Sequence, residues 1–186
     1  MIFDKIDTVK SKVKGRLVRK TWFIEPILDI FIYGVIVGFL PFSAGLFFIG
    51  QLKNHKNLFF VSIFFLIALA LCGLLFFSVI TVDRLKRIQG TLKEQNREFV
   101  KEVIDKLGWS IQHHNQQLTI ASPPWSIFSA NWGRQVVILY DRGDILINST
   151  TYGLHDLKSP FHWFGNRKIE RQLIDGFEQK IKTTNR

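Results

Sequence analysis

Two long apolar runs constrain this chain more than any other feature of its sequence. Residues 30 to 50 and 58 to 82 contain no charged side chain, and only the short polar stretch at 51 to 57 separates them. Each run is long enough to cross a hydrocarbon core of roughly 30 Å as a helix, which takes about 20 residues. In lipid, a helix satisfies its own backbone polar groups. The sequence therefore predicts a membrane α-helical hairpin of two transmembrane helices over residues 27 to 82.

The rest of the chain suffices for one small soluble domain and its flanking segments. The net charge of +10 is spread along the chain, with the excess close to the apolar runs. Anionic headgroups attract such cations, so the charge indicates the lipid bilayer as a partner and argues against nucleic acid. Cys72 is the single cysteine and lies inside the second run, which argues against a disulfide framework and a thiolate metal site. The first run exceeds the apolar region of a signal peptide, so we expect it to stay as an anchor.

Residues 1 to 25 are predicted to form a basic amphipathic helix. Five apolar residues recur there at spacings of three or four: Ile2, Ile6, Val9, Val13 and Leu17. With lysines mostly elsewhere on the wheel, this pattern favours a helix lying in the membrane interface, and the alternative is a helix packed on the soluble domain. Trp22 and Phe23 follow where aromatic residues anchor a chain at the headgroups.

The distribution of Lys and Arg predicts the orientation of the hairpin. These residues are abundant before the first run and after the second, whereas only Lys53 and Lys56 lie between the runs. Because positive flanks stay in the cytoplasm, we expect a multi-pass protein with both termini cytoplasmic. Within the first run, Gly34 and Gly38 form a GxxxG pattern that lets another helix approach closely. We favour packing against the second helix of the hairpin, and the alternative is a seam between two copies.

Residues 83 to 107 are predicted to form a stalk helix, because apolar residues recur at helical spacing up to Gly108. Its apolar stripe should cover the strands that follow or, alternatively, the same helix of a second copy. Residues 108 to 186 are predicted to form a cytosolic α+β domain. Its four strands are predicted at 109 to 113, 118 to 121, 135 to 140 and 145 to 149.

A hairpin turn and a terminal helix complete the predicted domain. The tetrapeptide at 141 to 144 indicates a hairpin turn in which Gly143 takes a positive φ. A terminal helix is expected to begin near Asn166, a good N-cap residue. The predicted fold class is therefore a two-helix membrane hairpin plus a small α+β domain, ordered α-β-β-β-β-α. The sheet should be antiparallel, with both helices on one face.

No catalytic constellation, cofactor motif or metal-ligand cluster is apparent in the sequence. The sharpest site hypothesis is anion binding by Asn166, Arg167, Lys168 and Arg171. Backbone N–H groups at a helix start, together with cations, suit a phosphate-bearing ligand or an anionic lipid. The alternative is that these cations are solvated or paired with Asp156 or Glu170.

Two aromatic loops are also candidate sites, at residues 122 to 128 and 160 to 164. They either reach the headgroup layer or a partner, or they cap the open face of the sheet. We favour capping, because so small a domain needs its large side chains for its core.

Four short motifs occur in the soluble part: WGRQ at 132 to 135, ILYD at 138 to 141, LINS at 146 to 149 and FGNRK at 164 to 168. Behind a two-span hairpin, this series resembles a group of small uncharacterised bacterial membrane proteins, over about residues 60 to 180. The resemblance implies a location in the bacterial inner membrane. Because that group has no established activity, it implies no functional residues.

These observations favour a non-enzymatic, membrane-anchored interaction or scaffold protein. Its cytosolic domain is expected to engage a protein partner or to form a homo-oligomer. The alternative is a sensing effector in which an anionic, phosphate-bearing ligand binds near Arg167 and Lys168 and drives oligomerisation or membrane perturbation. An enzyme ranks third, because the sequence offers no set of acid, base and nucleophile.

Overall fold

The computed structural model describes the chain except residues 1–5, 21–23, 54–57, 126–130, 154–157 and 185–186, and except the side chains of 24–30, 36, 40, 52, 53, 58 and 160. Trp22 and Phe23, the predicted interface anchors, lie outside the described residues. The chain divides into two units, considered separately below. The sheet unit comprises residues 1–20 and 82–186, and the helical hairpin comprises residues 21–81.

The elements follow one another in this order: α1 (Thr8–Lys14), α2 (Ile24–Lys53), α3 (Leu58–Thr81), β1 (Lys86–Gln89), α4 (Lys93–Lys106), β2 (Ser110–His114), β3 (Leu118–Ser122), β4 (Arg134–Asp141), β5 (Asp144–Thr151) and α5 (Trp163–Thr184). A short 3-10 turn at Pro160–His162 leads into α5.

The helical hairpin consists of α2 and α3, and both helices are long and apolar enough to cross a membrane, over Phe31–Gln51 and Phe59–Thr81. The helices meet through aromatic pairs, including Phe48 stacked on Phe65 with ring centroids 5.3 Å apart. Most of their other large apolar side chains point outward. This confirms the two apolar helices expected from the sequence.

The glycines of the GxxxG pattern do not form the close contact with α3 that we favoured. Among the described atoms, none is within 4 Å of a Cβ built at Gly34 or Gly38, whereas Gly45 faces the Phe65 ring of α3 at 3.9 Å. The helices do contact one another next to Gly38, where Cys72 Sγ lies 3.4 Å from the Val37 carbonyl oxygen, but no described atom of α3 packs closely on Gly34 or Gly38 themselves. The alternative, a seam between two copies, stays a prediction.

The sheet unit is built on an antiparallel sheet with the strand order β1-β5-β4-β3-β2. A tight turn at 142 and 143 joins β4 to β5, and the strand ends on this side of the sheet are called the turn end. At the opposite ends of the strands, called the open end, Arg134 pairs with Thr151, and Ser122 pairs with Ser110. These registers decide which loops lie together.

Both faces of the sheet are covered. Helices α4 and α5 pack on one face, in a core that includes Phe99, Val103, Ile138, Ile147, Leu173 and Phe177. The other face carries a second apolar cluster, formed by Ile6, Leu17, Leu85, Leu118, Ile120, Val137, Leu139 and Leu146. The expected α+β architecture is confirmed, with an antiparallel sheet and two helices on one face.

The predicted stalk helix over 83 to 107 is wrong in its first half. Residues Lys86–Gln89 form the edge strand β1, which pairs with β5, and α4 begins only at Lys93. The helical spacing of Leu85 and Ile88 misled the prediction, because a strand places residues three apart on opposite faces. Leu85 lies in the second cluster and Ile88 packs against the first, so the sheet has five strands rather than four. The apolar stripe of α4 covers the strands, as expected.

Buried Asn96 explains why the chain turns between β1 and α4. Its Oδ1 accepts the Thr91 N–H at 2.8 Å, and its Nδ2 donates to the Gly143 carbonyl at 3.0 Å. The Gly90 N–H donates to the same carbonyl. In the turn itself the positive φ, 55°, belongs to Arg142 and not to Gly143 as predicted. The two hydrogen bonds on the Gly143 carbonyl hold that peptide in place.

The amphipathic helix predicted over residues 1 to 25 is only seven residues long, Thr8–Lys14. Asp7 caps it by accepting the Lys10 N–H, and Gly15, at φ 61°, ends it. Val9 and Val13 are exposed, whereas Leu17 packs on the sheet. The alternative of packing on the soluble domain is therefore what the described residues adopt, because Leu17 and its neighbours cover an apolar face of the sheet.

Candidate functional site

Within the sheet unit, the N-terminal segment and the residues that follow α3 lie side by side. The Leu17 N–H donates to the Asp83 carbonyl at 2.8 Å, which ties the N-terminal segment to the residues after α3. The Val82 carbonyl accepts a hydrogen bond from Asn148 Nδ2 at 2.8 Å, on β5 near the open end. The residues after α3 thus lie between β5 and the N-terminal segment, through the contacts of Val82 and Asp83.

Exposed aromatic side chains line this end. Trp125 follows β3, Trp132 precedes β4, and Phe161 and Phe164 lie at the start of α5. These four residues, called the aromatic rim, are between 62% and 72% exposed. The favoured expectation that the aromatic loops cap the sheet does not hold for them, because helices α4 and α5 and the N-terminal segment already cover both faces. Residues 126–130 of the first loop lie outside the described residues.

A buried arginine holds the loops of the open end in place. Arg134 is 5% exposed, and its Nε donates to Asn166 Oδ1 at 3.0 Å and to Thr151 Oγ1 at 3.2 Å. Its Nη1 donates to Asn131 Oδ1. Burial lowers the pKa of Arg134 below its ordinary value. A Cβ on Gly165 would lie 2.5 Å from Arg134 Nη2, so a larger residue there would displace the Arg134 guanidinium.

The predicted anion-binding residues are brought to the open end, but two of them are already engaged. Helix α5 begins at Trp163, so Asn166 is not its N-cap, and the buried Asn166 side chain accepts hydrogen bonds from Arg134. The N-cap prediction failed because the helix extends one turn further towards the 3-10 turn. Arg167 Nη1 lies 2.6 Å from Glu170 Oε2, the pairing named as the alternative.

The remaining candidates are more accessible. Lys168 and Arg171 are exposed on α5. Glu170 is buried, and its other oxygen accepts the Ser149 N–H at 3.0 Å, so this carboxylate joins α5 to β5. Asp156, the other proposed partner of the cations, lies outside the described residues.

One histidine at this end has a hydroxyl partner. His162 Nδ1 lies 2.7 Å from Ser159 Oγ, and burial and the nearby Arg134 charge lower the pKa of His162 below its ordinary value. A neutral imidazole beside a hydroxyl can accept or donate a proton. In the described parts of the chain, however, no three His, Cys, Asp or Glu side chains come together as a metal site.

Sequence reasoning missed the structural role of Arg134 and the exposure of Trp132. One available signal was a charged residue at the first position of an otherwise apolar strand, RQVVILY over residues 134 to 140. Such a residue is expected to pair or to lie at a sheet edge, because a lone buried charge is costly.

Comparison of the chain with protein-family models, with curated proteins and with solved structures gives no match. The resemblance to bacterial two-span proteins therefore stays a prediction.

Proposed function

We propose that this chain is a non-enzymatic, membrane-anchored interaction protein. The helical hairpin is the anchor in the bilayer. The sheet unit lies in the cytoplasm, where it engages a protein partner or a second copy. We place the protein in a bacterial inner membrane, on the resemblance described above.

The observation that carries this proposal is the outward-facing apolar surface of the hairpin. Its exposed aromatic side chains include Phe31, Phe39, Phe42, Phe47, Phe59, Phe60, Phe64, Phe76 and Phe77. Removing one such side chain from water contributes about 1.5–3 kcal/mol. Over two helices the sum is on the order of tens of kcal/mol, which exceeds the ~5–15 kcal/mol net stability of a typical domain. An apolar solvent around the hairpin resolves this imbalance.

The packing of the sheet unit supports the proposed orientation. The N-terminal segment and the residues after α3 are joined by the hydrogen bond from Leu17 to Asp83 and by the Arg16 to Arg84 bridge. Segments that fold together lie on one side of a membrane, so the hairpin has an even number of crossings. The excess of Lys and Arg in these flanks then favours the cytoplasmic side for both.

Charged pairs join several elements of the sheet unit. Arg87 joins β1 to the β4–β5 turn through Asp141 at 2.8 Å and Asp144 at 2.7 Å. Lys158 pairs with Asp83, at the point where the chain returns from α3. These charged groups are therefore engaged in holding the fold of the proposed interaction domain together.

An effector that senses a free phosphate-bearing ligand is the lesser proposal. Asn166 and Arg167, two of its four residues, already bond to Arg134 and Glu170. Lys168 and Arg171 alone offer two exposed cations on one helix, which is a weak site because solvent screens them.

Alkaline phosphatase fusions test the anchor and its orientation together. A fusion after Thr184 should be inactive, because the enzyme then stays in the cytoplasm. The matched fusion after Lys53 should be active, because a single crossing carries the enzyme to the other side. Activity after Thr184, or extraction of the unfused protein by alkaline carbonate, would contradict the proposal.

A further inference from the structure

We propose that the open end of the sheet unit docks on the headgroup layer of a bilayer that contains anionic lipid. The aromatic rim, Trp125, Trp132, Phe161 and Phe164, inserts among the headgroups, and the surrounding cations meet lipid phosphates. This inference rests on the proposed anchoring of the hairpin and adds a second contact with the membrane.

The chain enters the sheet unit directly after α3. Thr81 is the last residue of α3, and Val82 already belongs to the sheet unit. The carbonyl of Val82 is held by Asn148, on β5. No residue lies between the end of α3 and the first residue of this part of the sheet unit.

The described aromatic side chains of the sheet unit are either in its core or exposed at the open end, apart from the partly buried Trp163. Trp109, Tyr140, Tyr152 and Phe177 are buried. Among the residues that the structure describes, the aromatic side chains of this unit that are exposed are the four of the rim. Trp and Phe are favoured where an apolar ring can enter the headgroup region. In water, four such rings in neighbouring loops would form an apolar patch that soluble surfaces usually avoid.

The charges at the open end fit an anionic surface. Lys20 and Lys168 are exposed there. The acids near them are engaged, since Asp83 pairs with Lys158 and Glu170 pairs with Arg167. Cations close to a bilayer surface are attracted by anionic lipids. Rings and cations together suit a lipid surface, because the headgroup layer accepts aromatic rings and anionic lipids attract cations.

Site-specific fluorescence in proteoliposomes tests the docking on the full chain. In a Cys72→Ser background, Phe161→Cys and, separately, Trp132→Cys carry an environment-sensitive nitrobenzoxadiazole label. Glu94→Cys is the matched control, because it is exposed in the first turn of α4, at the turn end. Doxyl-labelled phospholipid in phosphatidylcholine–phosphatidylglycerol vesicles is the quencher.

We expect the labels at 161 and 132 to be quenched about threefold or more relative to the label at 94, as an interfacial position requires. Equal quenching at all three positions would overturn the docking, and a rim that binds a protein instead would give that result. If the protein itself fails to sediment with the vesicles, the anchoring proposal fails, which is a different outcome from vesicle-bound protein without quenching.

A second arm tests the charge contribution. Lys20→Glu combined with Lys168→Glu should lower the quenching at 161 in anionic vesicles and leave it unchanged in pure phosphatidylcholine. Quenching that is insensitive to both the lipid charge and these substitutions would overturn the role of anionic lipid. Both positions are exposed, so we expect the fold to tolerate the changes, and the emission of buried Trp109 checks this.

Discussion

The N-terminal segment offers the sharpest test of the fold, because Val13 and Leu17 share one face of the helix predicted from the sequence but not in the structure. Leu17 is 7% exposed and packs on the sheet, whereas Val13 is 83% exposed. A helix lying in the membrane would use both residues alike. The structure requires that truncating Leu17 unfolds the sheet unit more easily and that truncating Val13 does not.

The magnitude follows from the burial of each side chain. Leu17→Ala should lower the free energy of unfolding by about 2–3 kcal/mol, since the buried Leu17 side chain leaves a cavity against the sheet. With a urea slope of about 1.5 kcal/mol per molar, the midpoint should fall by about 1.3–2 M. Val13→Ala should change the free energy by less than about 0.5 kcal/mol, as exposed positions usually do.

Urea titration of the full protein in micelles, followed by tryptophan emission, measures both variants. Trp109 is buried in the sheet unit, so its emission shifts on unfolding, and the contribution of the other four tryptophans is common to both variants. Equal midpoints for the two variants would refute the packing of Leu17. A lower midpoint for Val13→Ala than for Leu17→Ala would likewise contradict the exposure of Val13.

Three further outcomes follow from local geometry. Gly90→Ala should lower the free energy of unfolding by about 1–3 kcal/mol, because its Cβ would lie 2.5 Å from Asn96 Oδ1. An unchanged urea midpoint would contradict this close approach. Arg142→Gly should raise the free energy of unfolding by about 1 kcal/mol, because Arg142 has φ 55° and glycine takes that conformation without strain; a lower midpoint would argue against it. Burial raises the pKa of Tyr140 to about 12 from 10.0. The folded state therefore holds this proton more tightly than the unfolded state. The free energy of unfolding should fall by about 1.4 kcal/mol per pH unit as the pH rises from 10 to 12. Tyr140→Phe should remove this contribution in urea titrations across that range, and an unchanged slope would assign it to another group.

Local patterns predicted those parts of the fold that depend on neighbours in sequence. The apolar helices α2 and α3 and the strands β4 and β5 follow from composition and short-range turn signals. The apolar stripe of α4 was also recognisable, with Phe99 and Val103 in the core. In each case the residues that decide the structure lie within one element or one turn.

The missed features depend on contacts between distant residues. Strand β1 exists because β5 offers an edge to Lys86–Gln89, and nothing in four residues with helical spacing reveals that edge. The helix start at Trp163 and the burial of Asn166 depend on Arg134, about thirty positions earlier in the chain. The aromatic rim was visible in the sequence, but its exposure follows from how both faces of the sheet are covered.

Labelling of Cys72 tests the central claim, membrane anchoring by the hairpin, most directly. It is the single cysteine of the chain and lies in the middle of α3, between Phe59 and Thr81. The account predicts that a membrane-impermeant maleimide does not modify it in spheroplasts or in inverted vesicles, and that it reacts only after denaturation in sodium dodecyl sulfate. Thr183→Cys, exposed on α5, should react in inverted vesicles and serves as the control. Modification of Cys72 in intact vesicles at the rate of Thr183→Cys would contradict the account.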